Sequence, residues 1–500
     1  MTKLRNNIIA NFGGQAWAMV MGVAFVPIYI RVLGIEAYGL IGFFLSIQAF
    51  FLILDLGLSA TLNRELARDS HSDAPADVKR DLVRTLEWIY WPTGLLIAVG
   101  TFAASGPLAS SWLRPVSLTI DQAAYAITLM GLSAALQWPC GFYSGGFRGL
   151  ERQVMLNGLN ASFATLRGLG AVAVLLLVSP TFTAFLWWQV AVSALQTAVS
   201  GTVLWRLLPP GSRAPRFGLE RLHELSGFAL GMTGIVGLSF VLVQSDRIIL
   251  STVLPLGEFG YYTVAATVAA ALSSVVYPFF GALFPRFSGL VATGDTPRLI
   301  TLYHQSNQLL AVVVAPVACV LSFFSADVLH LWTGDAELAA KSGPILSILV
   351  LGTALNGLMN LPYALQLAYG WTKLALYQNM VAVLLVVPSI WWLAHHYGSL
   401  GAATVWLALN LCYVTIGVPL MHRRLLVGEM ARWYRYDILP PVLGAVTSAA
   451  AARALIQEPL QGRQGLAELA LIGITCLFAT ALCSSEARMI MLNPRKLHSR

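Results

Sequence analysis

The chain has 500 residues, of which 57% are hydrophobic and 11% are charged, with a mean hydropathy of +0.71. Soluble domains carry roughly 25% charged residues, so this composition excludes a string of soluble domains and indicates a polytopic membrane protein. The net charge of +8 would fit a nucleic-acid partner only if the basic residues formed a patch outside membrane loops. The five cysteines form no CxxC pair and have no histidine at zinc spacing, so no metal site, disulfide or cofactor is predicted.

The first part of the chain predicts six membrane-spanning helices. Apolar runs of roughly 20 residues, the length that crosses a bilayer core, begin near Ile8, Tyr38, Trp88, Ala123, Val154 and Phe182. A polar segment rich in Pro and Gly follows at 209–218, "PPGSRAPRFG", and is the best candidate for a boundary between domains.

The second part of the chain predicts six more spans and then a final pair. The six runs begin near Leu225, Tyr261, Leu302, Ile345, Leu374 and Leu400. The final pair is "ILPPVLGAVTSAAAARALI" and "GLAELALIGITCLFATALC". The first of these opens on two prolines and contains Arg453, so the sequence predicts 14 spans with 12 as the alternative.

These spans predict an all-α polytopic membrane protein with a simple division. An N-terminal six-helix lobe covers 1–208, and a cytoplasmic linker covers 209–218. A C-terminal six-helix lobe covers 219–425, and two extra helices with a basic cytoplasmic tail cover 426–500.

The positions of the basic residues predict the orientation. Of the 31 Lys and Arg residues, 24 fall in the pieces on the side of the N-terminus and five fall on the other side. Because Lys and Arg concentrate in cytoplasmic loops, both termini are predicted to be cytoplasmic. This asymmetry also accounts for the net positive charge, so no nucleic-acid partner is predicted.

Two short stretches of the chain are repeated at the same distance. "RVLGIEAYGL" (31–40) returns as "TVLPLGEFGYY" (252–262), and "FRGLERQVMLN" (147–157) returns as "AYGWTKLALYQ" (368–378), each with an offset of 221 positions. One shared offset indicates a duplicated six-helix unit. Since six is even, both copies are predicted to have the same orientation, related by an axis along the membrane normal and enclosing a central cavity.

Two stretches carry a resemblance to a known family. "FVPIYIRVLGIEAYGLIGFFLSIQAFFLILDLGLSATLNRELAR" (25–68) and "QSDRIILSTVLPLGEFGYYTVAA" (244–266) are similar to bacterial polysaccharide flippases. These are the O-antigen and exopolysaccharide translocases of the multidrug/oligosaccharidyl-lipid/polysaccharide exporter superfamily. The resemblance covers about the first 425 residues, by hairpin order and lobe duplication.

The resemblance implies a carrier and not an enzyme. Such a carrier lies in the bacterial inner membrane and moves an undecaprenyl-diphosphate-linked oligosaccharide from the inner to the outer leaflet by alternating access. The implied partners are this lipid, the surrounding membrane lipids, H⁺ or Na⁺ as a coupling ion, and the enzymes of polysaccharide assembly.

Arg167 is the sharpest candidate for headgroup binding. It lies near the middle of the fifth span, where a charge is costly and usually faces a cavity. A sugar-diphosphate headgroup loses its hydration in hydrocarbon, and the planar fork of an arginine can replace that hydration at the phosphate oxygens. The alternative is an arginine that extends to the interface or pairs with a neighbouring carbonyl.

Three further residues in spans are candidates for binding or ion coupling. Asp246 and Arg247 are adjacent in span seven, so they point about 100° apart. One could face the cavity as a coupling acid or a substrate cation, and the alternative is a structural ion pair. Asp55, in the inner third of span two, is a candidate for cation coupling, and its alternative is a cap or an interhelix hydrogen bond.

Arginines at helix ends are weaker candidates for contact with the headgroup. Arg31, Arg64 and Arg148 all have this position. For each of them, anchoring at the level of the lipid phosphates is the alternative.

Other functions remain open from the sequence. A multidrug/cation antiporter of the same superfamily would favour acidic, aromatic-lined lobes, whereas the deepest charges here include two arginines. A membrane-embedded glycan ligase or polymerase would need a sizeable outer catalytic loop, and the longest outer segment, about Ser325 to Gly343, has few charged residues. A scaffold that transports nothing would not need charges inside the membrane.

Overall fold

A computed structural model describes residues 2–55, 57–70, 75–116, 118–218, 237–238, 240–456 and 458–492. Within these residues all regular secondary structure is helical, and there is no β-strand. The predicted all-α fold is therefore confirmed. The predicted span beginning near Leu225 and the basic end of the chain lie largely outside the described residues.

The first eight helices contain the predicted N-terminal lobe. They are α1 (Thr2–Ala24), α2 (Val26–Leu33), α3 (Ile35–Leu52), α4 (Leu58–Ser70), α5 (Ala76–Pro107), α6 (Ile120–Gly149), α7 (Gln153–Leu177) and α8 (Phe182–Leu207). A 3₁₀ turn, Ile53–Asp55, ends α3, and a π-helical turn, Leu108–Trp112, extends α5.

The remaining helices complete the chain. They are α9 (240–253), α10 (Leu256–Thr293), α11 (Thr296–Phe323), α12 (Ser325–Thr333), α13 (Ala336–Ala368), α14 (Thr372–Cys412), α15 (Val418–Arg424), α16 (Met430–Arg432), α17 (Leu439–Leu455), α18 (Gly462–Cys483) and α19 (Ser485–Leu492). The segment Ser325 to Gly343, treated in the sequence as an outer loop, forms α12 and the first turns of α13.

Ten helical segments among the described residues are long and apolar enough to cross a membrane, so the protein is a multi-pass membrane protein. One of them, Thr372–Arg424, is 53 residues long and is interrupted at Gly398, whose φ of +57° is unfavourable for residues other than glycine. Such a segment has length for two crossings. The total of 14 crossings, with 12 as its alternative, stays a prediction.

Packing divides the chain into two compact units, Met1–Gly260 and Tyr261–Arg500. The lobe boundaries expected from the sequence, at 208, 218 and 425, stay predictions. Each unit is described by itself below.

In the first unit, the duplicated turn packs against its own repeat. A methyl group on Gly39 would collide with the carbonyl oxygen of Leu256, and a methyl group on Gly260 would collide with the carbonyl oxygen of Ile35. The offset of 221 positions maps Ile35 onto Leu256 and Gly39 onto Gly260. The repeated glycines thus allow two repeated helix starts to approach each other closely and reciprocally.

A buried carboxylate joins three helices of the first unit. Glu87 of α5 is 6% exposed and accepts hydrogen bonds from Tyr143 of α6 (3.0 Å) and Trp205 of α8 (2.7 Å). Arg84 also binds it at 3.1 Å. Because a buried charge is tolerated only when it is paired, Glu87 is a structural acid with all of its partners inside the unit.

The segment 209–218 is tied along the start of α5. Arg213 pairs with Asp81 at 2.6 Å, and the backbone amide of Arg216 donates to the same carboxylate at 2.7 Å. The amide of Gly218 donates to Thr85 at 3.0 Å. The hydrogen bonds that Arg213 donates to Asp81 raise the pKa of the Arg213 guanidinium above its ordinary value. These bonds therefore fix the segment 209–218 to the surface of α5.

In the second unit, buried polar side chains attach α11 to the segment that leads into α17, which includes the π-helical turn Trp433–Ile438. The imidazole of His304 contacts Asp437 through one ring nitrogen and Glu429 through the other, at 2.9 Å. Gln308 donates to Asp437 at 3.0 Å and accepts from Ser484 at 3.2 Å, which joins the end of α18 to the same network.

The other end of α17 is attached by an ion pair. Arg453 binds Asp327 of α12 at 2.9 Å, and the amide of Leu460 donates to the same carboxylate at 3.0 Å. The charge that made this alanine-rich run an uncertain helix therefore has a partner 126 positions away.

Candidate functional site

A polar cavity of 410 Å³ lies in the first unit, between α3, α6, α7 and α8. This volume is within the range of small-molecule binding sites. Most of the polar atoms in its wall belong to amides and hydroxyls. Its polar lining residues are Gln48, Asp55, Gln137, Trp138, Cys140, Ser144, Asn160 and Gln196.

Helical spacing explains why α6 presents a polar face to this cavity. Gln137, Cys140, Gly141 and Ser144 occupy positions i, i+3, i+4 and i+7, so they lie on one side of the helix. Gln48 of α3 donates to Gln137 at 2.9 Å and joins the two walls. An amide side chain both donates and accepts hydrogen bonds, so this pair can bind many kinds of polar ligand.

Arg167 lies directly behind the cavity wall. It is near the middle of α7, and its guanidinium donates to Gln189 at 2.9 Å, to Ser193 at 3.4 Å and to Gln196 at 3.2 Å. Among the described residues it forms no ion pair with a carboxylate. The cation is thus held by neutral groups, and Gln196 connects it to the cavity.

The three partners of Arg167 were missed in the sequence. Gln189, Ser193 and Gln196 occupy positions i, i+4 and i+7 of α8 and so form one stripe in an otherwise apolar run. That spacing was the signal that could have identified them. An isolated polar residue in an apolar span is uninformative, but three on one face predict a lining or a partner for a charge.

Trp138 was also missed, and it has an unused hydrogen-bond donor at the cavity. The side chain is only 8% exposed, and its indole N–H has no partner within the described residues. The ring stacks on Tyr90 with centroids 5.7 Å apart. A buried indole N–H usually finds a partner, so this donor favours a ligand that accepts hydrogen bonds.

Asp55 lies at the same cavity, in the 3₁₀ turn that ends α3. Its carboxylate accepts hydrogen bonds from the hydroxyl groups of Ser59 and Tyr90. The amide of Ser59 donates to it at 3.4 Å, so the acid caps the start of α4 while it also lines the cavity. Asp55 therefore lines the cavity, whereas Arg167 only contacts one of the lining residues, Gln196.

Asp246 and Arg247 lie elsewhere in the first unit. Both are on α9, and neither lines the polar cavity. The backbone amide of Arg247 donates to the Asp246 carboxylate at 2.7 Å. The proposed roles in coupling and binding stay predictions for these two residues.

Arg31, Arg64 and Arg148 are exposed and do not line the cavity, and the expected helix-end position is wrong for Arg64, which lies in the middle of α4. Arg31 is in the last turn of α2 and Arg148 in the last turn of α6, where a cation is stabilised by the helix dipole. Arg64 lies 3.9 Å from Glu65. Contact of these three residues with a headgroup stays a prediction beside the lipid-anchoring alternative.

Comparison with solved structures defines the class of protein. The fold is similar to that of the lipid II flippase MurJ in an inward closed conformation, with a TM-score of 0.71 and 12% identity over 98% of this chain and 99% of that one. It is also similar to an inward-facing multidrug resistance MATE family transporter, with a TM-score of 0.65 and 12% identity over 85% and 96% of the two chains. The chain thus has the fold of MurJ and MATE transporters.

Sequence comparison defines the family. The family model described as "Polysaccharide biosynthesis protein" matches residues 4–291, and the model described as "MatE" matches residues 249–392. Since the first match covers more than half of the chain, the protein belongs to this polysaccharide biosynthesis family. The resemblance inferred from the sequence is confirmed.

Two curated relatives are transporters by name. A putative O-antigen transporter of Shigella flexneri is 22% identical over 407 residues, which cover 80% of this chain and 93% of the relative. The succinoglycan biosynthesis transport protein ExoT of Rhizobium meliloti (strain 1021) is 29% identical over 299 residues, 58% of this chain and 55% of the relative.

Proposed function

We propose that the protein is a flippase that moves an undecaprenyl-diphosphate-linked oligosaccharide from the inner to the outer leaflet by alternating access. The polar cavity of the first unit receives the headgroup during this movement. The names of the two relatives support a transport role in polysaccharide assembly, and the family supports the same class of cargo.

The observation that carries the proposal is the state of Arg167. Among the described residues this mid-span guanidinium has only neutral partners, and it lies beside a cavity lined by four amide side chains. Such a charge is costly unless a ligand uses it, and a diphosphate offers oxygen pairs that match the fork. The unpartnered N–H of Trp138 adds a second donor for these acceptors.

Ion coupling and orientation belong to the same proposal. Asp55, which lines the cavity, is the acid that we propose responds to H⁺ or Na⁺, and both termini are cytoplasmic in the proposed topology, which the basic residues indicate. The lipid is then taken up at the side where polysaccharide assembly enzymes attach its sugars.

An antiporter of multidrug type is the second candidate, favoured by the MatE match over residues 249–392. It would bind cationic, apolar compounds. The polar cavity has a cation behind its wall, which repels such cargo and attracts anions.

The deciding experiment uses the purified full chain in proteoliposomes. A fluorescent oligosaccharide on a polyprenyl diphosphate is placed in both leaflets, and loss of signal to an impermeant quencher is followed after an imposed gradient. We expect transfer of this lipid and no accumulation of a cationic dye under the same gradient. Dye transport without lipid transfer would establish the antiporter instead.

A further inference from the structure

The second large cavity of the first unit is apolar. It has a volume of 610 Å³ and lies between α3, α5 and α9. Three of its four hydroxyl side chains donate to carbonyl groups of their own helices: Ser46 to Gly42, Thr101 to Ile97 and Ser251 to Ile248. Its surface is otherwise hydrocarbon and aromatic, so it fits a hydrocarbon ligand.

Helix α3 separates this apolar cavity from the polar one. Phe43, Phe50 and Leu54 face the apolar cavity, whereas Gln48 and Asp55 face the polar cavity. The ring of Phe51 lines both of them, so the two cavities share a wall one side chain thick. One helix thus places a polar and an apolar compartment side by side.

The apolar cavity is also open at its rim. Leu96 of α5 is 70% exposed and Phe50 of α3 is 50% exposed, although both line it. In a membrane these side chains meet lipid, so a chain can enter the cavity sideways without leaving hydrocarbon.

We infer that this apolar cavity binds the first isoprene units of the lipid whose headgroup occupies the polar cavity. The inference rests on the proposed function and deepens it, because it makes the tail part of the recognised substrate. In a polyprenyl diphosphate the branched hydrocarbon is bonded directly to the phosphate, so its first units must lie beside the headgroup. A shared wall at Phe51 meets that requirement.

Gly100 offers a position from which a side chain can start into the cavity. It lines the cavity, and a Cβ built on it meets no atom within 4 Å. Gly106 is a matched control on the same helix, because a Cβ there also meets nothing within 4 Å and the residue does not line the cavity. Both substitutions replace a helical glycine by the same residue, so their effects on helix propensity are comparable.

The test compares two substrates that have the same diphosphate sugar and differ in the tail, one with a full polyprenyl chain and one with two isoprene units. In Gly100→Phe we expect the long-chain lipid to move about tenfold more slowly, because its first units lose contact with the cavity wall. The short-chain lipid also enters the cavity, but its two isoprene units fill only part of the 610 Å³, so its loss should be smaller. Gly106→Phe should move both lipids like the wild type.

The outcomes separate this inference from the proposed function. Failure of the wild type to move either lipid would defeat the proposed function and the inference with it. Normal transport by the wild type, with unchanged long-chain transport in Gly100→Phe, would overturn the tail site alone. An equal loss of both lipids would also overturn it, because the substitution would then act on the headgroup path.

A binding experiment adds a readout that does not depend on transport. A polyprenyl diphosphate with a photoreactive group in its first isoprene unit should label the α5 segment that contains Leu96 and Gly100. Excess unlabelled polyprenyl phosphate should suppress this labelling, and an equal excess of phospholipid should not. Equal suppression by phospholipid would identify the cavity as a site for bulk lipid and would contradict the inference.

Discussion

Arg167 and Arg453 both lie within apolar helices, but the partners of Arg167 are neutral and the partner of Arg453 is a carboxylate. Arg453 of the second unit binds the Asp327 carboxylate, whose side chain is 7% exposed. Arg167 of the first unit binds two amide oxygens and a hydroxyl. A paired arginine has its charge neutralised inside the protein, whereas an arginine with neutral partners still attracts an anion.

The difference teaches how an intramembrane charge is to be interpreted. Depth alone does not distinguish a structural arginine from a binding one, since both are costly in hydrocarbon. The identity of the partner does distinguish them, because only the unpaired cation gains from a charged ligand. The predictions below test this distinction.

The largest effect is expected at Arg167. Arg167→Ala removes charge-assisted hydrogen bonds to the diphosphate, so we expect lipid transfer to fall by about 100-fold. Arg167→Lys keeps the charge without the planar fork and should fall by about tenfold. Transfer is measured in proteoliposomes at equal amounts of folded protein.

Insertion of these variants serves as the control. Arg167→Ala removes a mid-span charge and so saves about 2.5 to 3.5 kcal/mol on insertion scales, while Arg167→Lys keeps the charge that the wild type already inserts, so neither variant should be depleted from the membrane. A purely structural arginine predicts the reverse pattern, with Ala poorly expressed and Lys nearly normal. Full transfer by a well-expressed Arg167→Ala would remove this residue from the translocation path.

Arg453 should give the opposite result. Arg453→Ala leaves Asp327 buried and without its cation, and because Arg453 is 43% exposed we expect a screened loss of about 2 kcal/mol in unfolding free energy. Transfer per folded molecule should stay at the level of the wild type. Thermal unfolding in detergent measures the first effect, and the proteoliposome assay measures the second.

A double-mutant cycle measures the interaction energy between Arg453 and Asp327. Adding Asp327→Asn to Arg453→Ala removes the unpaired carboxylate and should recover part of the lost stability. Strict additivity of the two losses would show that the two side chains do not stabilise each other.

A smaller effect is expected at the indole of Trp138. Trp138→Phe keeps an aromatic ring against Tyr90 and removes the indole N–H, which has no partner among the described residues, so we expect KM for the lipid to rise about fivefold, the value of one hydrogen bond. Trp187→Phe is the matched control, because Trp187 is 49% exposed and lies outside the cavity lining. Equal KM values for the wild type and Trp138→Phe would show that the N–H does not meet the substrate.

The smallest effect is expected at Asp55 in the absence of a gradient. Asp55→Asn removes a titratable group and keeps the size of the side chain. Lipid transfer without an imposed ion gradient should therefore stay within about twofold of the wild type. Stimulation by an imposed H⁺ or Na⁺ gradient should be lost. If Asp55→Asn and Asp246→Asn both keep the full response to the gradient, neither acid couples transport to an ion.

Much of the fold could be predicted because the signals were long. Apolar runs of about 20 residues identify spanning helices, and the offset of 221 predicted a repeat whose two glycines prove to be in reciprocal contact. The resemblance in two stretches was enough to identify the family.

The site could be predicted only in part, because its contacts are distant in sequence. Arg167 was recognised by its depth, but its neutral partners and the orphan N–H of Trp138 depend on how α6, α7 and α8 pack. Arg453 argued against a spanning helix at its position, because nothing in the local sequence indicates that Asp327 is its partner. The local sequence indicates that a charge lies within a spanning helix. Only the packing of the helices shows which side chains surround that charge.

The reciprocal contact of Gly39 and Gly260 has a consequence for the history of the chain. Each repeat offers the other the same glycine and the same carbonyl, which is the rule for an isologous interface between identical subunits related by a two-fold axis. A half-length ancestor could have formed this contact with a second copy of itself. Gene duplication and fusion would then have preserved a dimer interface inside a single polypeptide, and the two halves were free to diverge everywhere except where they touch.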